Sequence, residues 1–429
     1  MSELAPSTNA LKRFAVDHPL WLVFSLALGV RFANILAIPF SGGEFLIEDS
    51  TLYPVIAQEW MKSLGLLAGE PGEIGYEERT PLYPVFVGIM QLLGLDRPLH
   101  LVLVNSLFDA GTCVLVAMLG GMLDRWTGLT AGLLAAFWPN LIIHSGIVLT
   151  DTMFLFLMTG VILAVARFTT DPTGRRAGII GLLLGLAILT RAIAQFLPIP
   201  ISIVLFIAAR RAGCSWRQAT FAALIQLLVV AVLVVPIQLH NKDRFGGYSL
   251  TSQAGTHLLY WIVPAVHEIE FGTPKAEGAA LMLGKLTERL AKRGVTPEQM
   301  GSFEVSREQT KLAFDVLSNS SASAIAQAWL NGFVLNLAAP AILIDPRVRS
   351  LSPQSFYDLT AEDIFGKIKQ YLSGNGVLYS FIFAAGALGS FATLIAAILG
   401  FFRLSREHKA AAVVAFLILL YFLAINGPV

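Results

Sequence analysis

The chain has 429 residues, of which 55% are hydrophobic and 14% are charged, and its formal net charge at pH 7 is +1. Soluble globular proteins carry nearer to a quarter of charged residues, so this composition excludes a soluble fold and requires lipid to cover apolar surface. The near-neutral charge also argues against a nucleic-acid partner.

Apolar runs of membrane-spanning or nearly membrane-spanning length follow one another along the chain. They cover residues 19–40, 99–123, 127–143, 146–167, 177–190, 193–209, 219–239, 376–402 and 410–427. The sequence therefore predicts an all-α polytopic membrane protein with about nine to eleven membrane helices.

Basic residues predict the orientation of these helices. Lys12 and Arg13 precede the first run, and other basic residues fall in alternate connections, at positions 125, 167, 175, 176, 210, 211, 217, 403, 406 and 409. By the positive-inside rule these connections are cytoplasmic. The predicted organisation is a cytoplasmic N-terminus (1–18), a transmembrane module (19–240) with a first external loop (41–98), an external region (241–375) and C-terminal membrane helices (376–429).

The second external region contains two kinds of helical segment. If the apolar stretch Ala326–Ile344 crossed the membrane, the basic cluster Arg403–Lys409 would become external, so we expect an interfacial or re-entrant helix there. Residues 276–317 are polar and rich in helix formers, which predicts amphipathic helices that lie on the membrane surface.

The first external loop opens with Asp49, Tyr53 and Ala57 at i, i+4 and i+8, a spacing that predicts one shared face of a short helix. A simpler interpretation is that Asp49 is only an N-cap acid. The same loop then places Glu77, Glu78 and Arg79 before Thr80-Pro81-Leu82-Tyr83-Pro84. This pattern is typical either of a charged membrane-interface collar or of a cation that holds a phosphate.

Ionisable residues also border the apolar runs themselves. Asp151 begins one run near the predicted outer face, where it is either a helix-capping acid or a functional residue. Arg191 separates two runs at the same face and could contact lipid headgroups or bind a phosphate. Asp109 lies inside a run, where we expect it to pair with Arg31 in a structural role.

The second external region opens with cations, amides and glycines. It reads His240-Asn241-Lys242-Asp243-Arg244-Phe245-Gly246-Gly247-Tyr248, and then Ser252-Gln253-Ala254-Gly255-Thr256-His257-Leu258. None of these short elements is specific alone, but all of them fall on one predicted side of the membrane in a fixed order.

In that order they resemble the membrane glycosyltransferases of the GT-C superfamily, in particular bacterial relatives of dolichyl-phosphate-mannose protein mannosyltransferases and of the lipid A aminoarabinose transferase. The matching elements are acid-x-x-x-Tyr-x-x-x-Ala at Asp49–Ala57, a base before Pro-x-Tyr-Pro at Arg79–Pro84, Leu-Thr-acid-x-x-Phe at Leu149–Phe154 and Gly-Leu-Ala-x-Leu-Thr-Arg at Gly185–Arg191. Two elements depart from the family: the acid of the third element is usually Glu and is here Asp151, and the usual Arg-Asn pair is here His240-Asn241.

The resemblance implies a GT-C-like helical bundle in a bacterial inner membrane, with its active site at the external, periplasmic face. Such an enzyme moves a sugar, with inversion, from a polyprenyl-phosphate-linked donor to a lipid, glycan or protein acceptor. Asp49 is the expected general base, and Arg79 and Arg191, with Lys242 behind them, stabilise the departing phosphate. Asp151 binds the acceptor, orients the sugar, or joins Asp49 at a divalent metal ion. The other expected substrate-binding residues are Tyr53, Glu78, Tyr83 and His257.

A polytopic transporter or a lipid-linked glycan flippase is the alternative of another class. A transporter predicts inverted repeats, broken helices and ionisable residues near the bilayer midplane. Here the candidate charges gather at the predicted outer face and no repeat is visible, so the sequence favours the glycosyltransferase.

Overall fold

The computed structural model describes residues 18–38, 45–72, 75–351, 355–361, 363–407 and 409–427. Lys12 and Arg13, with nearly all of the predicted cytoplasmic segment 1–18, lie outside the described residues. The described residues are helical and contain no β-strand, which confirms the predicted all-α class. The chain forms two compact units, Met1–Gly72 with Pro81–Ala231 and Glu73–Thr80 with Val232–Val429.

The first unit is a bundle of helices with short connections. Its elements are α1 (Pro19–Leu36), a 3-10 helix (Glu48–Thr51), α2 (Tyr53–Ser63), α3 (Leu82–Leu92), α4 (Pro98–Gly120), α5 (Arg125–Ala136), α6 (Pro139–Ser145), α7 (Asp151–Thr170), α8 (Gly174–Thr190), a 3-10 helix (Ala192–Ala194), α9 (Pro198–Arg211) and the first part of α10 (Trp216–Phe245). Proline opens α1, α4, α6 and α9, because the first turn of a helix leaves its N–H groups without intrahelical partners and proline has none.

Close approach of α1, α4 and α5 forms the core of this bundle. The buried residues of the cluster are Val23, Ala27, Ala110, Cys113, Ala117 and Ala136. A Cβ atom on Gly132 of α5 would lie 2.7 Å from the Cβ of Ala117 and 3.0 Å from a methyl group of Val23. The glycine therefore allows the three helices to pack at a distance that a larger residue would prevent.

A buried ion pair crosses the same core. The guanidinium of Arg31 donates to the carboxylate of Asp109, and the two side chains are 0% and 2% exposed. Arg31 also donates to the carbonyl oxygens of Ala27 at 3.0 Å and Ala136 at 2.8 Å, so several of its N–H groups are satisfied. The pairing predicted for Asp109 and Arg31 is confirmed, and its saturation with protein partners is typical of a structural role.

The second unit begins with a short segment and continues from the end of α10 through helices of its own. Its elements are a 3-10 helix (Tyr76–Glu78), the end of α10, α11 (Ala254–His257), a π-helical turn (Leu258–Ile262), α12 (Val263–Phe271), α13 (Lys275–Ala291), a 3-10 helix (Pro297–Gln299), α14 (Ser302–Asn319), α15 (Ala322–Ala338), a 3-10 helix (Ala341–Ile344), α16 (Pro346–Arg349), a 3-10 helix (Phe356–Asp358), α17 (Ile364–Gly374), α18 (Val377–Glu407) and α19 (Lys409–Asn426).

The helices predicted over residues 276–317 are present as α13 and α14. Their apolar positions join a cluster made of Leu259, Val263, Met282, Leu286, Leu290, Leu312 and Ala313. Both helices thus bury one face inside the second unit and leave the other polar, as an amphipathic pattern predicts. Their position on a membrane surface stays a prediction.

Five helices among the described residues are long and apolar enough to cross a membrane, namely α1, α4, α7, α10 and α18. A sixth span results if α5 and α6 are counted together, although they are bent by 54° at the Trp138–Pro139 step. This count is lower than the predicted nine to eleven, because α8 and α9 have only 17 and 14 residues on either side of the break at Arg191, and the apolar part of α19, Ala411–Asn426, is also short. A straight span needs about 20 residues.

The apolar stretch at residues 326–344 is not one helix. The helix α15 ends at Ala338, Pro340 follows, and a 3-10 helix covers Ala341–Ile344. Proline interrupts helical hydrogen bonding, so the apolar run is divided into two short elements. Neither qualifies as a span by length and composition, and the interfacial or re-entrant position of this segment stays a prediction.

Candidate functional site

An ion pair in the first unit joins two of the sequence elements. Asp151 is the first residue of α7, and Arg191 follows the last residue of α8. The guanidinium of Arg191 donates a hydrogen bond to the Asp151 carboxylate, and its carbon lies 5.9 Å from the centre of the Phe154 ring. Asp151, Phe154 and Arg191, which were predicted as site residues or motif positions from separate elements, are therefore in contact.

Both members of this pair remain accessible. The side chains of Asp151 and Arg191 are each 38% exposed, and within the described residues the Arg191 side chain donates a hydrogen bond to Asp151 alone. The residue before Asp151, Thr150, holds the N-cap position without a side-chain capping bond. The alternative in which Thr150 or Asp151 merely caps α7 through its side chain is therefore wrong, because the Asp151 carboxylate is used by Arg191 instead.

Two buried tyrosines line the neighbouring part of the first unit. The rings of Tyr53 and Tyr83 contact edge to face with centres 5.0 Å apart, and both side chains are buried. The side-chain amide of Asn105 donates to the Tyr83 hydroxyl at 3.3 Å and to the carbonyl oxygen of Ile147 at 3.2 Å. This contact connects Tyr83 with the loop that leads to Asp151.

The segment that carries Asp49 is tied to the same loop by two hydrogen bonds. The Ser50 hydroxyl donates to the carbonyl oxygen of Val148 at 2.6 Å, and the amide of Val148 donates to the carbonyl oxygen of Phe45 at 2.9 Å. Ser50 is fully buried, whereas the neighbouring Asp49 is exposed. The tie therefore holds the backbone of the exposed Asp49 against the loop before Asp151.

The local structure around Asp49 differs from the prediction. Asp49 lies in the 3-10 helix Glu48–Thr51, and the α-helix α2 begins only at Tyr53, so the predicted single helical face over Asp49, Tyr53 and Ala57 is wrong at its first position. The reason is Pro54. In a helix continuous from Asp49 its ring would clash with the carbonyl of Ser50, whereas the start of a helix accepts it. Asp49 also occupies neither N-cap position, so the simpler capping interpretation is wrong as well.

The geometry does not favour a metal ion at this site. Within the described part of the chain no group of three or more His, Cys, Asp or Glu side chains is placed to hold a metal. The Asp151 carboxylate is bound by a guanidinium, which competes with a cation for the same oxygen atoms. A metal shared by Asp49 and Asp151 does not fit these residues, and no step of the reaction below is assigned to one.

The remaining predicted residues belong to the second unit. Glu78 is exposed and Arg79 is partly buried. The 3-10 helix Tyr76–Glu78 is followed by Arg79 at its C-cap position. Its position within this unit is set by two contacts. The Tyr76 hydroxyl lies 3.1 Å from Nε2 of His240, and the amide of Ser252 donates to the carbonyl oxygen of Glu77 at 3.2 Å.

Lys242 and His257 are both exposed side chains of the second unit. The ammonium of Lys242 lies 5.3 Å from the centre of the Tyr248 ring. Close packing holds the segment before His257, because a Cβ atom on Gly255 would lie 2.2 Å from the carbonyl oxygen of Ser306. Gly255 therefore serves helix packing.

Two residues near the predicted site were not singled out from sequence. Ser50 and Asn105 make the hydrogen bonds that connect separate segments of the first unit, and both are fully buried. An isolated Ser or Asn has no distinctive spacing, so only its contacts reveal such a role.

Residues 78–239 match the family profile described as dolichyl-phosphate-mannose-protein mannosyltransferase. The match confirms, over this segment, the resemblance to GT-C-type transferases, and it contains Glu78, Arg79, Tyr83, Asp151 and Arg191. Asp49 and Tyr53 precede the matched segment, and Lys242 and His257 follow it. No curated protein matches the chain.

Proposed function

From the family match over residues 78–239, which supports a membrane glycosyltransferase of the GT-C kind, we propose that this chain transfers a sugar from a polyprenyl-phosphate-linked donor to an acceptor. The proposed reaction takes place at the external face of a bacterial inner membrane and inverts the anomeric configuration. The acceptor is a hydroxyl or amine of a lipid, glycan or protein.

The accessible ion pair between Asp151 and Arg191 carries this proposal. It brings together residues that are 40 positions apart in the chain and that belong to two separate family elements. A pair with 38% of each side chain exposed can exchange protein contacts for substrate contacts, whereas a saturated buried pair cannot. A guanidinium with N–H groups available for a second acceptor is a suitable partner for a phosphate oxygen.

In the proposed reaction the acceptor heteroatom attacks the anomeric carbon of the donor as the bond from that carbon to the phosphate oxygen breaks. Asp49 takes the proton of the acceptor, and the bonding electron pair leaves with the polyprenyl phosphate. Fixed cations stabilise the charge that develops on the leaving oxygen. Arg191, oriented by Asp151, and Arg79 are assigned this role.

The other predicted residues are assigned to substrate binding. Tyr53 and Tyr83 form an edge-to-face aromatic contact that borders the site of the first unit. Glu78, Lys242 and His257, in the second unit, are proposed to contact the donor phosphate or the acceptor. The exposure of all three is compatible with such contacts.

Release of label from a radiolabelled polyprenyl-phosphate sugar, in the presence of an envelope extract, tests this function. We expect purified wild-type protein to release the sugar and the Asp49→Asn variant to be slower by about 10²–10⁴-fold, since a positioned general base contributes that much. Asp96→Asn is the matched control, because Asp96 is an exposed acid in the same predicted external loop.

Three outcomes have distinct meanings. Loss of activity in Asp49→Asn with full activity in Asp96→Asn supports the transferase and its base. Equal activity in all three proteins retains the transferase but contradicts the role of Asp49. Absence of release by wild type with each of several donor sugars contradicts the proposed function. The anomeric configuration of the product, measured by NMR, tests inversion separately.

A further inference from the structure

A pocket in the second unit contains two buried lysines surrounded by aromatic rings. Its walls are contributed by α12, the start of α13, α15, the 3-10 helix Phe356–Asp358 and α17. Lys275 is the first residue of α13 and is 7% exposed, and Lys367 in α17 is 6% exposed. Lysine is rarely buried to this extent without a compensating partner.

Lys275 has no such partner among the described residues. No carboxylate or carbonyl group there accepts a hydrogen bond from its ammonium. Its Nζ instead lies over the rings of Trp261 and Tyr357, whose centres are 5.4 Å and 5.1 Å away. Aromatic faces attract a cation but accept none of its three N–H groups in the manner of an oxygen. Lys275 thus brings an incompletely satisfied positive charge into the pocket.

The neighbouring acids in the described part of the chain are engaged elsewhere. Lys367 donates to the carboxylate of Glu268 at 2.5 Å, so this acid, whose charge also acts on Lys275, is already bound by the other lysine. Asp363 also lines the pocket, but it is exposed and its carboxylate accepts from the amide of Gly366 at 2.7 Å as the N-cap of α17. Burial, with a contribution from the charge of Lys367, lowers the pKa of Lys275 to about 8.

We propose that this pocket binds a phosphoryl group, held by Lys275 and Lys367. A phosphate offers several strong acceptor oxygens, which can bind both ammonium groups at once. The rings of Phe356 and Tyr357 line the same pocket, and apolar surface beside opposite charges strengthens their attraction. The proposal does not depend on the transferase reaction, because it concerns a separate group of residues and requires no sugar transfer.

Competitive acetylation of lysines in the full-length protein tests this site. The purified protein in non-ionic detergent is treated at pH 7.5 with limiting acetic anhydride, and peptide mass spectrometry measures the rate at Lys275. Four additions are compared: inorganic phosphate, sodium chloride of equal ionic strength, phosphatidylglycerol, and phosphatidylcholine. Lys292 is the internal reference, because its side chain is 73% exposed and outside the pocket.

We expect a phosphoryl ligand at ten times its dissociation constant to slow labelling of Lys275 about tenfold, with little change at Lys292. Protection by inorganic phosphate identifies a free phosphate ligand, and protection by phosphatidylglycerol alone identifies an anionic lipid headgroup. Both outcomes support the proposal. Unchanged labelling of Lys275 with every addition, or equal protection by sodium chloride, would overturn it.

A double variant provides a second test. Lys367→Gln combined with Glu268→Gln removes both members of the buried pair, so neither charge is left without its partner. We expect the phosphate concentration needed for half-protection of Lys275 to rise at least about tenfold, the loss expected for one charge-assisted contact. Lys285→Gln is the matched control, because Lys285 is exposed and does not line the pocket, and it should leave that concentration unchanged. Equal protection in the double variant and wild type contradicts the role of Lys367.

Discussion

Two arginine–aspartate pairs in the first unit have the same chemistry and different surroundings. Arg31 and Asp109 are 0% and 2% exposed, and Arg31 also donates to two backbone carbonyl groups. Arg191 and Asp151 are each 38% exposed, and within the described residues Arg191 has one hydrogen-bond acceptor for its side chain. Arg31 in the first pair has its hydrogen bonds made by protein groups, whereas Arg191 in the second pair has N–H groups available for a ligand.

The difference shows why an ion pair cannot be assigned a role from residue types alone. Burial makes the Arg31–Asp109 pair costly to break, since either partner would be left as an uncompensated charge. Because the Arg191–Asp151 pair is exposed, water and salt screen it, and it contributes little to the free energy of unfolding. We infer that the exposed pair can change partners during a reaction and that the buried pair cannot.

The largest expected effect is on stability, from Arg31→Met. Removal of the guanidinium leaves Asp109 buried and unpaired, and we expect a loss of about 3–5 kcal/mol in the free energy of unfolding. Thermal unfolding in detergent measures it. The double variant Arg31→Met with Asp109→Leu should recover most of the loss, and a failure to recover would contradict the structural role.

Arg191→Met should act on catalysis instead. We expect activity to fall about 10²–10³-fold, as for the loss of one group that stabilises developing charge. The matched control is Arg176→Met, because Arg176 pairs with Asp171 at the surface of the same unit. Comparable activity in the two variants would contradict the catalytic assignment of Arg191.

Lys275 extends the comparison to a buried cation that has no carboxylate partner of its own within the described part of the chain. Only the neutral amine is acetylated, so its labelling rate should rise about tenfold per pH unit below its pKa of about 8 and level off above it. Among the described residues, Glu268, Lys367 and Asp363 are the charged groups that line the same pocket. Because a bound phosphate favours the protonated form, it should move this midpoint to higher pH. A midpoint near that of exposed lysines would contradict the burial of Lys275.

The smallest effect is expected when both members of the exposed pair are removed. Asp151→Asn with Arg191→Gln should change the free energy of unfolding by less than about 1 kcal/mol, the range measured for exposed ion pairs. Thermal unfolding of this double variant beside wild type provides the measurement. A loss as large as that of Arg31→Met would show that the exposed pair is structural after all.

Much of the fold follows from local features of the sequence. Apolar runs predicted α1, α4, α7, α10 and α18, and the polar helix formers of residues 276–317 predicted α13 and α14. The pairing of Asp109 with Arg31 also follows from the sequence, because both lie in apolar runs and neither charge could remain unpaired there. The spacing of four residues between Asp49 and Tyr53 does not specify one helix, because Pro54 lies in the first turn of α2 and favours a helix start there.

The sequence by itself determined the all-helical membrane class, the order of the family elements and the residue types available for chemistry, because these depend on hydrophobicity and on local backbone preferences. Only the tertiary structure decided which of those residues meet. Asp151 reaches Arg191, Ser50 reaches Val148, and Lys275 comes near Lys367, each through contacts between segments that are distant in the chain. Such contacts depend on how helices pack, and no local pattern specifies them.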